Sequence, residues 1–439
     1  MASPKTAGKT KQKKRSFHQE LVLNRWVMRF FKGNELAALK LRLGDDQHEG
    51  IDEDGQTLFF HELTRNLFEV DWISEADLRR YDLHIVEHWQ AITKHRNQLE
   101  GHVLNMKYFQ YLSLLFTEIY LDWYFTKPQA LLDGLNEELA TYSKEQGAEI
   151  FQPYIASDLN KIAFWNATGS GKTLLLHVNI KQYLHYFQAG NSNLYPDKII
   201  LLTPNEGLSK QHLEELELSG FSFSRFFDKN RTNTFKGTIE IIDINKLGDS
   251  MGDKTVAVEA FEGNNLVLVD EGHRGTGTAA GAWMQRRDAL VRGGFAFEYS
   301  ATFGQAVAKG NTVAKAEEEL LKKKAKTLFE TTALKKLDDA QLAQLVLTQV
   351  EQRQARVTAT RETYAKCILF DYSYKYFYDD GYGKESLILN MNGEAYEQAD
   401  NAQKYFTACL LSFYQQTWLW QNHHGKLNDF NIEKPLWVF

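Results

Sequence analysis

The chain has 439 residues, 43% of them hydrophobic and 25% charged, with a formal net charge of −6. That length and apolar content suit roughly two or three domains with ordinary cores and exclude a wholly disordered tail, while the acidic balance excludes a uniformly basic nucleic-acid coat but not a locally positive cleft. Cys367 and Cys409 form no C-x-x-C pair and stand beside no histidine cluster, which excludes a disulfide framework or zinc site and predicts buried thiols in a reducing, cytoplasmic compartment.

Residues 1–16, MASPKTAGKTKQKKRS, are lysine-rich and almost without large apolar side chains, so a disordered basic tail is expected. No uninterrupted apolar segment follows, as a signal peptide would require. From Phe17 the apolar residues recur at helical spacing, as in Leu21, Trp26, Val27 and Phe30, and again in Tyr108, Leu112, Leu115 and Ile119. Residues 17–150 are therefore expected to form a mostly helical accessory domain, with an irregular piece at DEDGQTLFF. The run YFQYLSLLFTEIYLDWYF contains Gln110, Glu118 and Asp122, which makes it a poor membrane span, and no membrane partner is expected.

After Phe151 short apolar runs alternate with helical patterns. KIAFW precedes a helix from Lys172, KIILLTP precedes one from Leu208, and IEIID, NLVLVDE and FAFEYSAT follow. This alternation predicts an α/β domain over 151–305, a parallel sheet with helices on both faces, closing near Gly304. Residues 306–362 predict a helical insertion. Glu318 and Lys322, and Glu319 and Lys323, are four apart with the acid first, and Leu334, Leu337, Leu342, Leu345 and Val346 offer an apolar stripe. A helical pair follows from this, either a solvated arm or one that binds a partner or nucleic acid. Residues 363–432 read as a mixed connecting region, in which ILFDYSYKYFYDDGYGK resumes strand-like alternation and a helix runs to about Asn422. Residues 433–439, EKPLWVF, read as a strand just beginning, so the chain is expected to stop inside a fold.

The chemistry concentrates in two places. NATGSGKT, residues 166–173, follows a strand and opens a helix. In that setting the backbone N–H groups of Thr168, Gly169, Ser170 and Gly171 and the helix N-terminus face phosphates. Lys172 adds a charge for the β and γ phosphates, and the Thr173 hydroxyl suits Mg²⁺. Asn166 stands where the strict pattern has glycine, and asparagine tolerates the left-handed backbone angles such a position can demand. The second place is NLVLVDEGHRG, an apolar strand ending in Asp270 and Glu271. One carboxylate at a strand tip can hold Mg²⁺ while the next orients and deprotonates an attacking water.

NATGSGKT, TPNEGLSKQH, DEGH and SAT occur in the order of motifs I, Ia, II and III of superfamily 2 helicases of the D-E-x-H type. LLTPNEGLSKQHLEEL and VLVDEGHRG most resemble the helicase subunits of type III restriction enzymes and related bacterial phage-defence helicases. The resemblance is clear over about residues 151–305 and weaker through CILFDYSYKYFYDDGYGK to KPLWVF, which looks like the first strand of a second RecA-like domain. It implies a RecA-like ATPase with ATP and Mg²⁺ as cofactors. Lys172 and Thr173 would bind phosphates and magnesium, Asp270 the magnesium, and Glu271 would be the catalytic base. His273, Ser300 and Thr302 would couple the γ-phosphate state to domain movement, although a turn cap for Ser300 and Thr302 and a structural histidine at 273 stay open. Thr203, Pro204 and Asn205 would lie against the nucleic-acid backbone. Gln152 in FQPY resembles the adenine-reading glutamine, with a capping or surface role equally open.

The function implied by the resemblance is an ATP-dependent DNA helicase or translocase, the motor of a bacterial restriction or anti-phage system, acting on duplex DNA beside nuclease or methyltransferase subunits. The family's second RecA-like domain, which supplies an arginine finger, does not fit after Ile432, and Arg274, Arg286 and Arg287 lie on the first domain's own elements. Poor hydrolysis by this chain alone is therefore expected. A nucleotide-binding regulatory or scaffolding subunit is the competing expectation.

Overall fold

In the computed structural model the described residues are 16–67, 72–190, 193, 195–228, 235–248, 256–257, 263–271, 287, 289–291, 293–310, 314–383, 399–427 and 434–436. The chain divides into two units, Met1–Gly383 and Lys384–Phe439.

The first unit opens with helices α1 (Val22–Met28), α2 (Leu36–Leu43), α3 (Leu58–Glu62), α4 (Glu75–Glu100), α5 (Tyr108–Thr126) and α6 (Pro128–Gln146). Strands and helices then alternate: β1 (Lys161–Asn166), α7 (Lys172–Gly190), β2 (Ile199–Thr203), α8 (Glu206–Leu218), β3 (Ser224–Phe226), β4 (Ile239–Asp243), the two-residue β5 (Leu247–Gly248) and β6 (Val256–Ala257), β7 (Leu266–Asp270) and β8 (Phe295–Ser300). Helices α9 (Phe303–Lys309), α10 (Ala314–Phe329), α11 (Asp339–Gln344) and α12 (Gln349–Cys367) lead to β9 (Ile368–Tyr372) and α13 (Tyr374–Asp379). Seven strands form one sheet in the order β3-β4-β2-β7-β8-β1-β9, every pair parallel.

A parallel sheet must be covered on both faces, which is why β2 and β7 are nearly unbroken apolar runs. Ile162 and Phe164 of β1 face the core built by α5 and α7, while Ala163 and Trp165 face Phe303, Ala306 and Tyr364 of α9 and α12. Helix α5 is buried at every residue from Tyr108 to Trp123. Its polar members are therefore paired inside the protein. Glu118, 0% exposed, accepts from Gln182 Nε2 at 2.7 Å and the Tyr186 hydroxyl at 2.6 Å. Asp122 accepts from the Tyr81 hydroxyl at 2.5 Å and Arg80 at 3.2 Å. Side chains of α1, α4, α5 and α6 belong to one core cluster with those of β1 and α7, so the helices of 17–150 are continuous with the sheet's core and not a layer apart. Among the described residues no helix is long and apolar enough to cross a membrane.

Several sequence expectations are corrected. The sheet does not close at Gly304: β9 adds a strand on the outer side of β1. The tyrosine-rich segment is a strand only over Ile368–Tyr372 and then a helix, because Asp371 Oδ1 takes the Ser373 N–H at 3.0 Å and turns the chain. Residues 306–362 hold α9 to α12 in place of two helices. Gly310, at φ +68°, ends α9, and capping boxes at Asp338 and Thr348 open α11 and α12. Cys367 is buried, but Cys409 is only partly so. Arg287 is 1% exposed and bonds Glu298 at 2.6 Å, with the Tyr364 hydroxyl on the other Glu298 oxygen at 2.8 Å. The tail 1–15 and His273, Arg274 and Arg286 lie outside the described residues.

In the second unit α14 (Ala399–Leu427) exposes Phe406, Leu410, Tyr414 and Trp418, four apart and so on one face. Lys434–Leu436 carry no strand, and the rest of 433–439 lies outside the described residues.

Buried His177 and half-buried His88 make stability pH-dependent. Burial pushes His177 down to about 3 and His88 down to about 4, against 6.5 for a free imidazole. Below pH 6.5 the unfolded chain takes up protons that the folded chain refuses, so this stability is complete above about pH 6.5 and is lost as the pH falls toward about 4. Urea midpoints should fall between about pH 7 and pH 5, and His88→Gln should flatten the dependence by about 1.4 kcal/mol per pH unit. Unchanged midpoints over that range would contradict the burial argument.

Candidate functional site

The ends of β1, β7 and β8 meet at the carboxyl edge of the sheet, where open α/β sheets bind ligands. The loop after β1 takes its shape from two glycines, Gly169 at φ +89° and Gly171 at φ +86°. Asn166 does not use left-handed angles. It is the last residue of β1, its side chain is fully buried, and neither its Oδ1 nor its Nδ2 has a hydrogen-bond partner. The loop is pinned at both ends of its turn: Ala167 N–H donates to Tyr372 O of β9 at 2.9 Å, and Ser170 Oγ donates to Ala167 O at 2.8 Å. Thr168 and Gly169 face outward, and Lys172 opens α7.

Sequence reasoning missed one support of this loop. Gln110 of α5 donates from Nε2 to Ser170 O at 3.1 Å and accepts the Lys107 N–H on Oε1 at 2.9 Å. A Cβ on Gly171 would stand 2.4 Å from Gln110 Nε2, so the glycine is required by space as well as by φ. The available signal was a glutamine at the third position of a helix, placed to reach back to the N-terminal N–H.

The acidic turn sits beside the loop. Glu271 is 5% exposed and adopts φ +52°, a left-handed angle rare outside glycine. Its Oε1 lies 2.7 Å from Lys172 Nζ and accepts the Ala301 N–H at 3.1 Å, while Oε2 accepts from Ser300 Oγ at 3.0 Å. Its own N–H donates to Tyr299 O at 2.9 Å. Such angles cost about 1–3 kcal/mol and persist where the surroundings hold them, as four partners do here. Ser300 Oγ also accepts the Thr302 N–H at 2.9 Å, which wires the SAT segment to the carboxylate. Asp270 Oδ2 lies 3.0 Å from His212 Nε2 on α8, and His212, not singled out from sequence, is 5% exposed with no partner on Nδ1.

Lys172, Thr173, Asp270, Glu271, Ser300 and Thr302 thus stand around one sheet edge. Two other expectations fail on placement. The Gln152 N–H bonds the Glu362 carboxylate, and the neighbouring Pro153 O and Asp158 take the Lys366 ammonium just ahead of β9, so the segment lies at the start of β1, away from the loop at its end. Thr203 is 1% exposed and shares its hydroxyl with Ser209 Oγ at 2.6 Å, which leaves its side chain inside. Pro204 O accepts from Asn245 Nδ2 at 3.3 Å, and exposed Asn205 caps α8 by accepting the Leu208 N–H at 2.9 Å.

These residues fit a nucleoside triphosphate with magnesium. The loop offers backbone N–H groups at a helix N-terminus, Lys172 supplies positive charge, and buried Asn166 keeps an amide unpaired at the loop's root. Thr173 and Asp270 are the residues that would hold Mg²⁺, with phosphate oxygens completing its shell. Among the described residues no group of three His, Cys, Asp or Glu side chains could hold a metal ion. A phosphate entering the loop would compete with Glu271 for the Lys172 ammonium. Gly171→Ala should therefore weaken nucleotide binding at least about tenfold through the strained φ and the clash with Gln110. Titration with a fluorescent ATP analogue checks this, and wild-type affinity would contradict the geometry.

Residues 137–305 match the family described as type III restriction enzyme, res subunit. No curated protein matches the chain. The matched segment contains the phosphate loop, the Asp270–Glu271 turn and the SAT segment, all on one parallel sheet. The match over residues 137–305 is consistent with a Res-like helicase of superfamily 2.

Proposed function

We propose that the chain is the motor of an ATP-driven helicase or translocase that moves on duplex DNA. The observation that carries this is the Glu271 carboxylate, held by Lys172 on one oxygen and by Ser300 on the other. The phosphates of ATP draw Lys172 away, and the freed oxygen accepts a proton from the attacking water, as a general base must. Magnesium, once bound by Thr173 and Asp270, would offset the charge of the phosphates. Ser300 and Thr302 transmit the change, since the hydroxyl that holds Glu271 also receives the Thr302 N–H.

The track would lie at the N-terminal end of α8. Pro204 and Asn205 meet the sugar–phosphate backbone there, and His212 on the same helix holds the magnesium ligand Asp270. Contacts of that kind position the track without reading sequence. The res-subunit description supports a restriction setting; an anti-phage role, nuclease or methyltransferase partners and a cytoplasmic location are the further parts of this reading. A second domain that closes over the nucleotide and supplies an arginine finger completes the motor, because Arg287 is committed to Glu298 inside this one.

ATP hydrolysis is expected to rise with duplex DNA when measured beside single-stranded DNA and RNA. Lys172→Ala should abolish tight ATP binding. Glu271→Gln should keep binding and lose about 10²- to 10⁴-fold in turnover, the usual worth of a general base. Undiminished turnover in Glu271→Gln removes the base assignment. ATP binding without stimulation by any nucleic acid turns the site into a regulatory sensor.

A further inference from the structure

The phosphate end of the site is fixed by groups on one side of β1. Asp270 ends β7 with Glu271 directly after it, Ser300 ends β8, and β8 is the neighbour of β1 on that side. On the other side lies β9, followed by α13. A nucleotide whose γ-phosphate meets Lys172 and Glu271 therefore runs over Thr168 and Gly169 with its base toward β9. The glutamine expected to read that base, Gln152, is at the start of β1.

What stands on the β9 side is aromatic. Phe377 of α13 reaches the loop so closely that a Cβ on Gly169 would lie 3.4 Å from its Cζ. Its ring centroid is 5.5 Å from that of Tyr382 at 35°, and Tyr382 in turn lies 5.8 Å from Phe109. Phe377 is partly buried, while Tyr382 is 40% exposed, so the pair offers solvent a supported aromatic surface. The surface is held still. Tyr382 N–H donates to Phe377 O at 3.1 Å, and Asp380 between them accepts from the hydroxyls of Tyr108 at 2.5 Å and Tyr372 at 2.6 Å and pairs with the Lys40 ammonium. Three anchors on one carboxylate leave the platform little freedom to lose when a ring stacks on it.

We propose that Phe377 and Tyr382 form the platform on which the nucleotide base stacks, the base subsite of the proposed ATP site. The inference rests on that reading of the loop. Stacking uses the face that every base presents, so the platform adds affinity for nucleosides without choosing adenine over guanine.

The test is equilibrium binding of fluorescent ATP and ADP analogues to the full chain, with unlabelled ATP, GTP and tripolyphosphate as competitors. Phe377→Ala should weaken ATP, ADP and GTP about tenfold, which corresponds to about 1.4 kcal/mol. Tripolyphosphate, which has no base, should compete as well as against the wild type. Phe377→Trp should restore the nucleotide affinities. Tyr382→Ala, at an exposed ring, should lower them in the same direction and guards against a folding defect in Phe377→Ala. Equal losses for tripolyphosphate and ATP would mean that the loop itself has been distorted and would overturn the platform. So would unchanged ATP affinity in both alanine variants. If wild-type binding of ATP and tripolyphosphate proves insensitive to Lys172→Ala, the loop reading has failed, and the base subsite falls with it for that separate reason.

Discussion

The structure depends on the need of an all-parallel sheet for cover on both faces. On one face that cover is α5, a helix too apolar to sit anywhere but the middle of the protein and too polar at Gln110, Glu118 and Asp122 to sit in lipid. Its burial forces each of those side chains to find a partner. Glu118 and Asp122 find theirs among α4 and α7, and Gln110 finds the carbonyl of Ser170. The shape of the phosphate loop is thus partly an outcome of core packing, delivered by a helix some sixty positions earlier in the chain.

A second consequence concerns charge. Lys172 and Glu271 are mostly buried and lie 2.7 Å apart, and a buried ion pair repays its desolvation only with good geometry and further hydrogen bonds. Those further bonds come from Ser300 and Ala301 at the end of the next strand. Three neighbouring strand ends are therefore needed to make the pair tolerable, which explains why the elements that carry the chemistry are contiguous in the sheet although scattered in the sequence. Glu298 and Arg287 repeat the principle on the opposite face, with Tyr364 as the third partner.

Much of this was legible from residue order. The strands after KIAFW, KIILLTP and NLVLVDE show themselves because buried parallel strands are short unbroken apolar runs, and NATGSGKT and the Asp270–Glu271 pair show themselves because their spacing reflects local backbone geometry. What stayed hidden depends on distant contacts. Nothing local distinguishes His212 from any other helical histidine until the fold sets it against Asp270. Ile368–Tyr372 looks like the start of a longer tyrosine strand until Asp371 and Asp380 turn and anchor it. Thr203 sits in the TPNEGLSKQH segment, where the resemblance implies a nucleic-acid contact, yet its hydroxyl satisfies Ser209 in the interior. The capping boxes at Asp338 and Thr348 were readable, and the apolar stripe across them obscured the breaks.

Helix α8 joins two places that differ in purpose. Its cap is Asn205 at the surface, and seven residues on, about 10 Å along the axis at 1.5 Å per residue, His212 touches Asp270. The contact it delivers is a 3.0 Å hydrogen bond, and such bonds fade within about half an ångström of stretch. One helix thus ties a surface cap to a contact with the carboxylate at the tip of β7, so the two ends cannot be placed independently.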